Sequence, residues 1–125
     1  MVRYAVVALG GGIGAAARHG VNVLFSRVLD RPVPYATASV NVAGCLAIGI
    51  LAGLLSGGHL RMGNTMRLFV FVGVLGGFTT FSSFALDTLT LVHQGRAGQA
   101  LANVVGQVAI GLGCTLLGYW LASSR

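Results

Sequence analysis

The residues best suited to chemistry lie in one run, Gly76-Gly77-Phe78-Thr79-Thr80-Phe81-Ser82-Ser83-Phe84. Two glycines followed by two threonines form a poor stretch for a continuous helix. Inside a membrane, a broken helix is tolerated where its freed carbonyls line a cavity or bind an ion. Phe81 and Phe84 are three apart and share a helical face, with Ser82 and Ser83 between them. Aromatics at that spacing commonly serve packing. Their place beside a break and a set of hydroxyls gives them a second reading, as ring edges turned toward a ligand.

Other polar groups repeat at helical spacing. Thr37 and Asn41 are i,i+4 with Gly44 on the same face, and Asn103, Gln107 and Gly111 repeat the pattern. An amide surrounded by hydrocarbon must be hydrogen-bonded, either across helices or to an ion. Arg18, with Asn22 at i+4, lies about 21 Å from Tyr4 along a helix rising 1.5 Å per residue. It either snorkels to the interface as an anchor or marks an ion path. The chain has no Glu, and its only carboxylates are Asp30 and Asp87. Acidic rings, which cation pores use, are therefore missing. Amides, hydroxyls and phenyl edges offer positive partial charge, so the set favours a small-anion path over a cation path. Which anion is not specified by these groups.

The elements that would carry these residues follow from composition. Of 125 residues, 55% are hydrophobic and 8% charged, against about 25% charged in an ordinary soluble domain. With a mean hydropathy of +0.85, a chain this small could not cover its apolar surface with polar groups. The expected class is an all-α integral membrane protein. A membrane-crossing helix needs about 20 apolar residues, and four spans are expected, about 4–25, 34–56, 66–92 and 97–122. The third would be broken in mid-membrane. Polar, turn-rich connections at 26–34, 56–64 and 93–98 separate them. Together the spans form a single membrane domain over 1–125 that leaves no soluble domain.

Two apparent motifs are set aside. Residues 1–17 look like a signal peptide, but the span continues past Arg18 as HGVNVLF. Residues 10–15 fit GxGxxA with Asp30 downstream, yet the long apolar spans leave no sheet to support a dinucleotide site. Every basic residue is Arg, and the arginines are scattered rather than gathered into a nucleic-acid patch. Four spans put Arg3, Arg61, Arg67 and Arg125 on one side and Arg27, Arg31 and Arg96 on the other. Orientation follows the Lys/Arg difference, and this difference is close to nothing. Insertion in both orientations, and an antiparallel dimer, are the expectation. Cys45 and Cys114 read as buried apolar thiols, and His19, His59 and His93 have no metal-ligand spacing. The chain has 20 glycines. The pairs Gly10/Gly14, Gly49/Gly53, Gly53/Gly57 and Gly73/Gly77 are expected to let helices approach closely.

GGGIGAAARHG (10–20), YATASVNVAG (35–44) and GGFTTFSSF (76–84) resemble the CrcB/Fluc fluoride channels over the whole chain. The resemblance implies a dual-topology antiparallel dimer, of this chain or with a paired homologue, in the cell (inner or plasma) membrane. Such a dimer passes fluoride through two pores. It assigns Phe81 and Phe84 as pore phenylalanines and Asn41 as the pore asparagine, with Thr37, Ser82 and Ser83 on or near the path. Arg18 would stand near the pore mouth. The backbone carbonyls of Gly76 and Thr79 would hold a structural sodium ion at the dimer interface. Ser83 stands where the family commonly has Thr. Span 4 departs further, with Asn103, Gln107 and Gly111 in place of the family's Tyr and Ser/Thr. The competing readings are a proton-coupled small multidrug transporter, which needs an embedded Glu, and a non-transporting assembly subunit. An enzyme is not expected, since no nucleophile–base pair is visible.

Overall fold

The computed structural model describes residues 1–31 and 33–124, and among these every regular element is a helix. Arg125, assigned above to one side of the membrane, and Pro32 of the first connection lie outside the described residues. The elements are α1 (Val2–Val28), α2 (Tyr35–Ser56), α3 (residues 64–78), α4 (Phe81–His93) and α5 (Ala97–Ser123). Within α3, Leu68–Leu75 is wound as a π-helix between the α-helical pieces Asn64–Arg67 and Gly76–Phe78.

Three stretches are long and apolar enough to cross a membrane: α2, the 30-residue rod Asn64–His93 made by α3 and α4, and α5. At 1.5 Å per residue, 22 residues of α2 span about 33 Å, enough for a hydrocarbon core of about 30 Å. The remaining expected span, about 4–25, corresponds to α1. It is 27 residues long, but Arg3, Arg18 and Arg27 interrupt its apolar character. It runs unbroken through Arg18, and residues 10–15 lie inside it rather than in a strand–turn–helix unit.

The exterior is apolar. Leu9 is 67% exposed, Leu112 63% and Trp120 64%, while the few buried side chains include Val40, Phe84 and Leu91. That distribution suits a hydrocarbon surround and not water. Packing runs along two glycine seams. Gly49 and Gly53 of α2 rest against the Thr115 and Tyr119 carbonyls of α5, and a Cβ on Gly118 would come within 2.8 Å of the Leu46 carbonyl. Gly10 and Gly14 of α1 face Gly73, Val74 and Gly77–Phe78 of α3, where a Cβ on Gly10 would lie 2.6 Å from the Phe69 carbonyl. The paired glycines thus serve close backbone contact, as their spacing implied. Gly57 instead meets the His59 ring and the Ser123 carbonyl. Gly95 (φ +73°) turns the chain between α4 and α5, and the Arg96 N–H then donates to the Leu91 carbonyl at 2.9 Å.

Candidate functional site

Between α3 and α4 the backbone is extended at Thr79 (φ −80°, ψ 157°) and Thr80 (φ −155°, ψ 117°). An uninterrupted helix would send the Thr80 N–H to the Gly76 carbonyl and the Ser83 N–H to the Thr79 carbonyl. Neither bond forms here. The Thr80 N–H donates to Asn41 Oδ1 at 2.8 Å, and the Ser83 N–H to Thr80 Oγ1 at 3.1 Å. Thr80 is thus the N-cap of α4, a role that suits a threonine hydroxyl. An unpartnered N–H away from water costs about 1–3 kcal/mol, so these two side chains are what let the helix stop and restart. The Gly76 and Thr79 carbonyls are released from their helical donors as a consequence.

Asn41 supports the break from α2. Its Nδ2 donates to the Thr80 carbonyl at 3.1 Å and to Gln107 Oε1 of α5 at 2.9 Å. Together with the bond from the Thr80 N–H, the amide pairs with Thr80 much as a neighbouring strand would. Both Asn41 hydrogens are therefore engaged within the chain. The series continues on α5 and returns to α4. Gln107 Nε2 donates to Asn103 Oδ1 at 2.7 Å, Asn103 Nδ2 to Thr88 Oγ1 at 2.9 Å, and Thr88 Oγ1 to the Phe84 carbonyl at 2.8 Å. Asn103 is buried.

A cavity of about 360 Å³ opens beside the break, with Asn41, Gly76, Thr79, Thr80, Phe81, Phe84 and Gln107 among its lining residues. The two phenyl rings stand 5.3 Å apart, tilted by 48°. Their surroundings differ: Phe84 is 7% exposed and Phe81 79%. No carboxylate lines the cavity, so its polar character comes from amides, hydroxyls and released carbonyls.

Of the residues singled out in the sequence, Asn41, Phe81, Phe84, Gly76 and Thr79 meet at this cavity. Ser82 and Ser83 reach it through Thr80. Ser82 Oγ lies 3.1 Å from Thr80 Oγ1, and Ser83 Oγ accepts from Thr80 Oγ1 at 3.1 Å. Thr37 is buried one turn before Asn41 and is not part of the lining. Arg18 is half-buried on α1, also away from the lining. Asn22, its i+4 neighbour, is exposed. Cys45 and Cys114 are free thiols, half-buried, and no His/Cys/Asp/Glu group able to hold a metal ion occurs among the described residues. The sequence reading missed Thr80 as the hinge of the network and Thr88 as its far end. A T-x-x-S pattern after Gly-Gly marks the first; Thr88, four residues after Phe84 and facing α5, had only its spacing to mark it.

An interrupted apolar rod, an amide-braced break and a carboxylate-free cavity define a membrane protein with an internal polar site. Residues 5–119 match the family described as CrcB-like protein, Camphor Resistance (CrcB). The chain belongs to this family. It is 52% identical over 112 residues to the fluoride-specific ion channel FluC of Paracoccus denitrificans, covering 90% of this chain and 87% of that one. It is 45% identical over 122 residues to the protein of the same name from Methylobacillus flagellatus (97% and 94% covered). The Aeromonas salmonicida relative, also named a fluoride-specific ion channel, is 42% identical over 125 residues (100% and 99% covered). The family is one of ion channels and not of enzymes.

Proposed function

We propose that this chain forms a passive fluoride channel in the cell (inner or plasma) membrane, crossing it four times with the break between α3 and α4 near mid-depth. The carrying observation is the cavity itself, in which Phe81 and Phe84 stand beside an amide- and hydroxyl-lined break with no carboxylate. The names of relatives similar over nearly the whole chain support fluoride as the ion.

Fluoride is strongly hydrated, so a pore must replace its water with several donors while binding weakly enough to release it. Asn41 is the central donor. An arriving anion competes with Gln107 Oε1 for one of its N–H groups, and the N–H returns to Gln107 when the ion leaves. The Phe81 and Phe84 edges carry the ion between donor sites, with the hydroxyls of Ser82 and Ser83 beside them and Thr37 one turn further along α2. Arg18 serves the pore mouth. The driving force is the electrochemical gradient. A negative-inside potential favours anion exit by about 2.3 kcal/mol per 100 mV, and no nucleotide or proton-relay group is required.

The functional unit is an antiparallel dimer with two pores, of this chain or with a paired homologue. A second copy would cover Phe81, which one chain leaves 79% exposed. The same assembly suits a sodium ion. The Gly76 and Thr79 carbonyls have lost their helical donors to Asn41 and Thr80. Two such oxygens from each copy would make a neutral, oxygen-only set suited to a monovalent cation, and sodium bound there would supply positive charge to offset the freed carbonyl dipoles.

Efflux from liposomes holding only the purified protein tests the reading, with fluoride- and chloride-selective electrodes on parallel samples. Rapid fluoride loss with chloride retained is expected. Equal loss of both ions overturns it, and loss of neither from folded dimeric protein overturns the reading of this chain as a channel on its own, leaving a paired homologue or an assembly subunit.

A further inference from the structure

In the path proposed above neither amide of α5 touches the ion itself, and the hydrogen bonds of the two amides have a direction. At one end Thr80 offers a backbone N–H; at the other Phe84 offers a backbone carbonyl. Thr88 commits its hydroxyl hydrogen to that carbonyl, so it can only accept from Asn103. Asn103 must therefore present Nδ2 to Thr88 and Oδ1 to Gln107. Gln107 in turn must present Oε1 to Asn41. Turning any one amide over would set donor against donor on one side and acceptor against acceptor on the other. Each amide thus has one permitted orientation, and buried series of this kind reinforce one another.

From this directionality we propose that Gln107, oriented by Asn103, is a positioning residue. It holds the Asn41 amide against Thr80, and so sets the geometry of the helix break and of Phe84. The effect on conduction rests on the fluoride-channel reading; the positioning of Thr80 does not. Gln107 joins α5 to α2 through Asn41, and Asn103 joins α5 to α4 through Thr88, so the series closes a ring around the break. The i,i+4 spacing of Asn103 and Gln107 is what lets adjacent turns of α5 form the middle of that ring. An isolated hydroxyl at position 107 would be too short to do the same from α5.

Two arms test the proposal on the full chain. The first follows backbone amide exchange at Thr80 by NMR in detergent-solubilised, 15N-threonine-labelled protein. Gln107→Met keeps length and bulk but removes the acceptor, and should lower the Thr80 protection factor about 5- to 10-fold, as for one lost buried hydrogen bond. Gln107→Glu, as the neutral acid that a carboxylate-free apolar site favours, keeps an acceptor for Asn41 and an O–H donor for Asn103 Oδ1, and should retain the protection. Should Gln107→Met not fold, Asn103→Leu removes the orienting partner alone and is expected to lower protection about 3-fold, a smaller effect because the Asn41 bond survives. Thr80 protection unchanged in the variants that fold would overturn the proposal.

The second arm is a flux cycle with Asn41→Ala, Gln107→Met and the double variant. If Gln107 acts through Asn41, the double variant conducts as Asn41→Ala does. Losses that multiply would mean that Gln107 meets the ion itself, and the positioning role would be rejected. A wild-type protein that passed no fluoride would remove the channel reading, while the exchange arm would still decide what Gln107 does.

Discussion

The seam between α1 and α3 and the cluster joining α2, α4 and α5 meet the same demand by opposite means. Along the seam, Gly10 and Gly14 approach the Gly73 and Gly77 region so closely that a Cβ on Gly73 would lie 2.9 Å from the Gly10 Cα. Contact there depends on side chains being absent, and each helix keeps its own backbone hydrogen bonds. At the cluster the helix stops at Phe78, and its backbone groups must find partners elsewhere. Asn41 and Thr80 provide them, and Gln107, Asn103 and Thr88 brace Asn41 in turn. In hydrocarbon no water can satisfy an open backbone group. A membrane helix can therefore come close to another by losing side chains, but it can be interrupted only by gaining polar ones.

That contrast can be broken from either side. The largest effect is expected at the seam: a Cβ at Gly14 would press on the Val74 carbonyl and lie 2.7 Å from the Phe78 nitrogen. Backbone atoms cannot move aside as a flexible side chain can, so Gly14→Ala should destabilise by about 3 kcal/mol. Thermal unfolding in detergent reads this, and Gly12→Ala, which meets nothing within 4 Å, should not lower the midpoint, since alanine suits a helix interior better than glycine. Next comes the cluster. Asn41→Leu retains bulk but orphans the Thr80 N–H and carbonyl, a loss of about 2 kcal/mol, and should slow fluoride efflux severely, to a residual rate, in the liposome assay.

The two phenylalanines sharpen the comparison within the cluster itself. Phe81→Ile keeps bulk and removes the ring edge at a side chain 79% exposed in the single chain. It should cut fluoride efflux about 10-fold or more, while the fold of the single chain, in which the ring is exposed, changes by about 0.5 kcal/mol or less. Unchanged efflux would remove the ring-edge role at that position. The smallest effect is expected for Ser83→Ala. Its hydroxyl accepts from Thr80 Oγ1, but its backbone N–H still caps onto Thr80. A loss of about 1 kcal/mol should appear as a few degrees in the unfolding midpoint.

Much of the site was legible in the residues. Gly76-Gly77 followed by two threonines signals an interruption because glycine weakens a helix interior and threonine offers a capping hydroxyl. The i,i+4 spacing of Asn103 and Gln107 placed them on one face of α5, and the glycine pairs marked the faces where helices touch. What spacing could not supply was the partner of each amide. Asn41 and Thr80 are 39 positions apart and Asn41 and Gln107 are 66 apart. Only the packing of α2 along α5 and beside the helix break brings them within hydrogen-bonding distance. The sequence marked Asn41 as a donor to be satisfied, and the fold shows both of its hydrogens engaged inside the chain. Nor could periodicity separate Phe81 from Phe84, which share a helical face but differ in exposure, 79% against 7%.

By itself, the sequence determined the class of molecule. Few charges and many apolar residues leave hydrocarbon as the only surround in which this chain's surface is stable, and the positions of its polar residues bound the length of each helix. These are additive properties, readable without knowing which helix lies beside which. The tertiary structure decided where the hydrogen bonds go, which carbonyls are released at the break, and which ring is buried. Those outcomes depend on directional contacts of a few ångströms between residues far apart in the chain, and only packing brings such residues together.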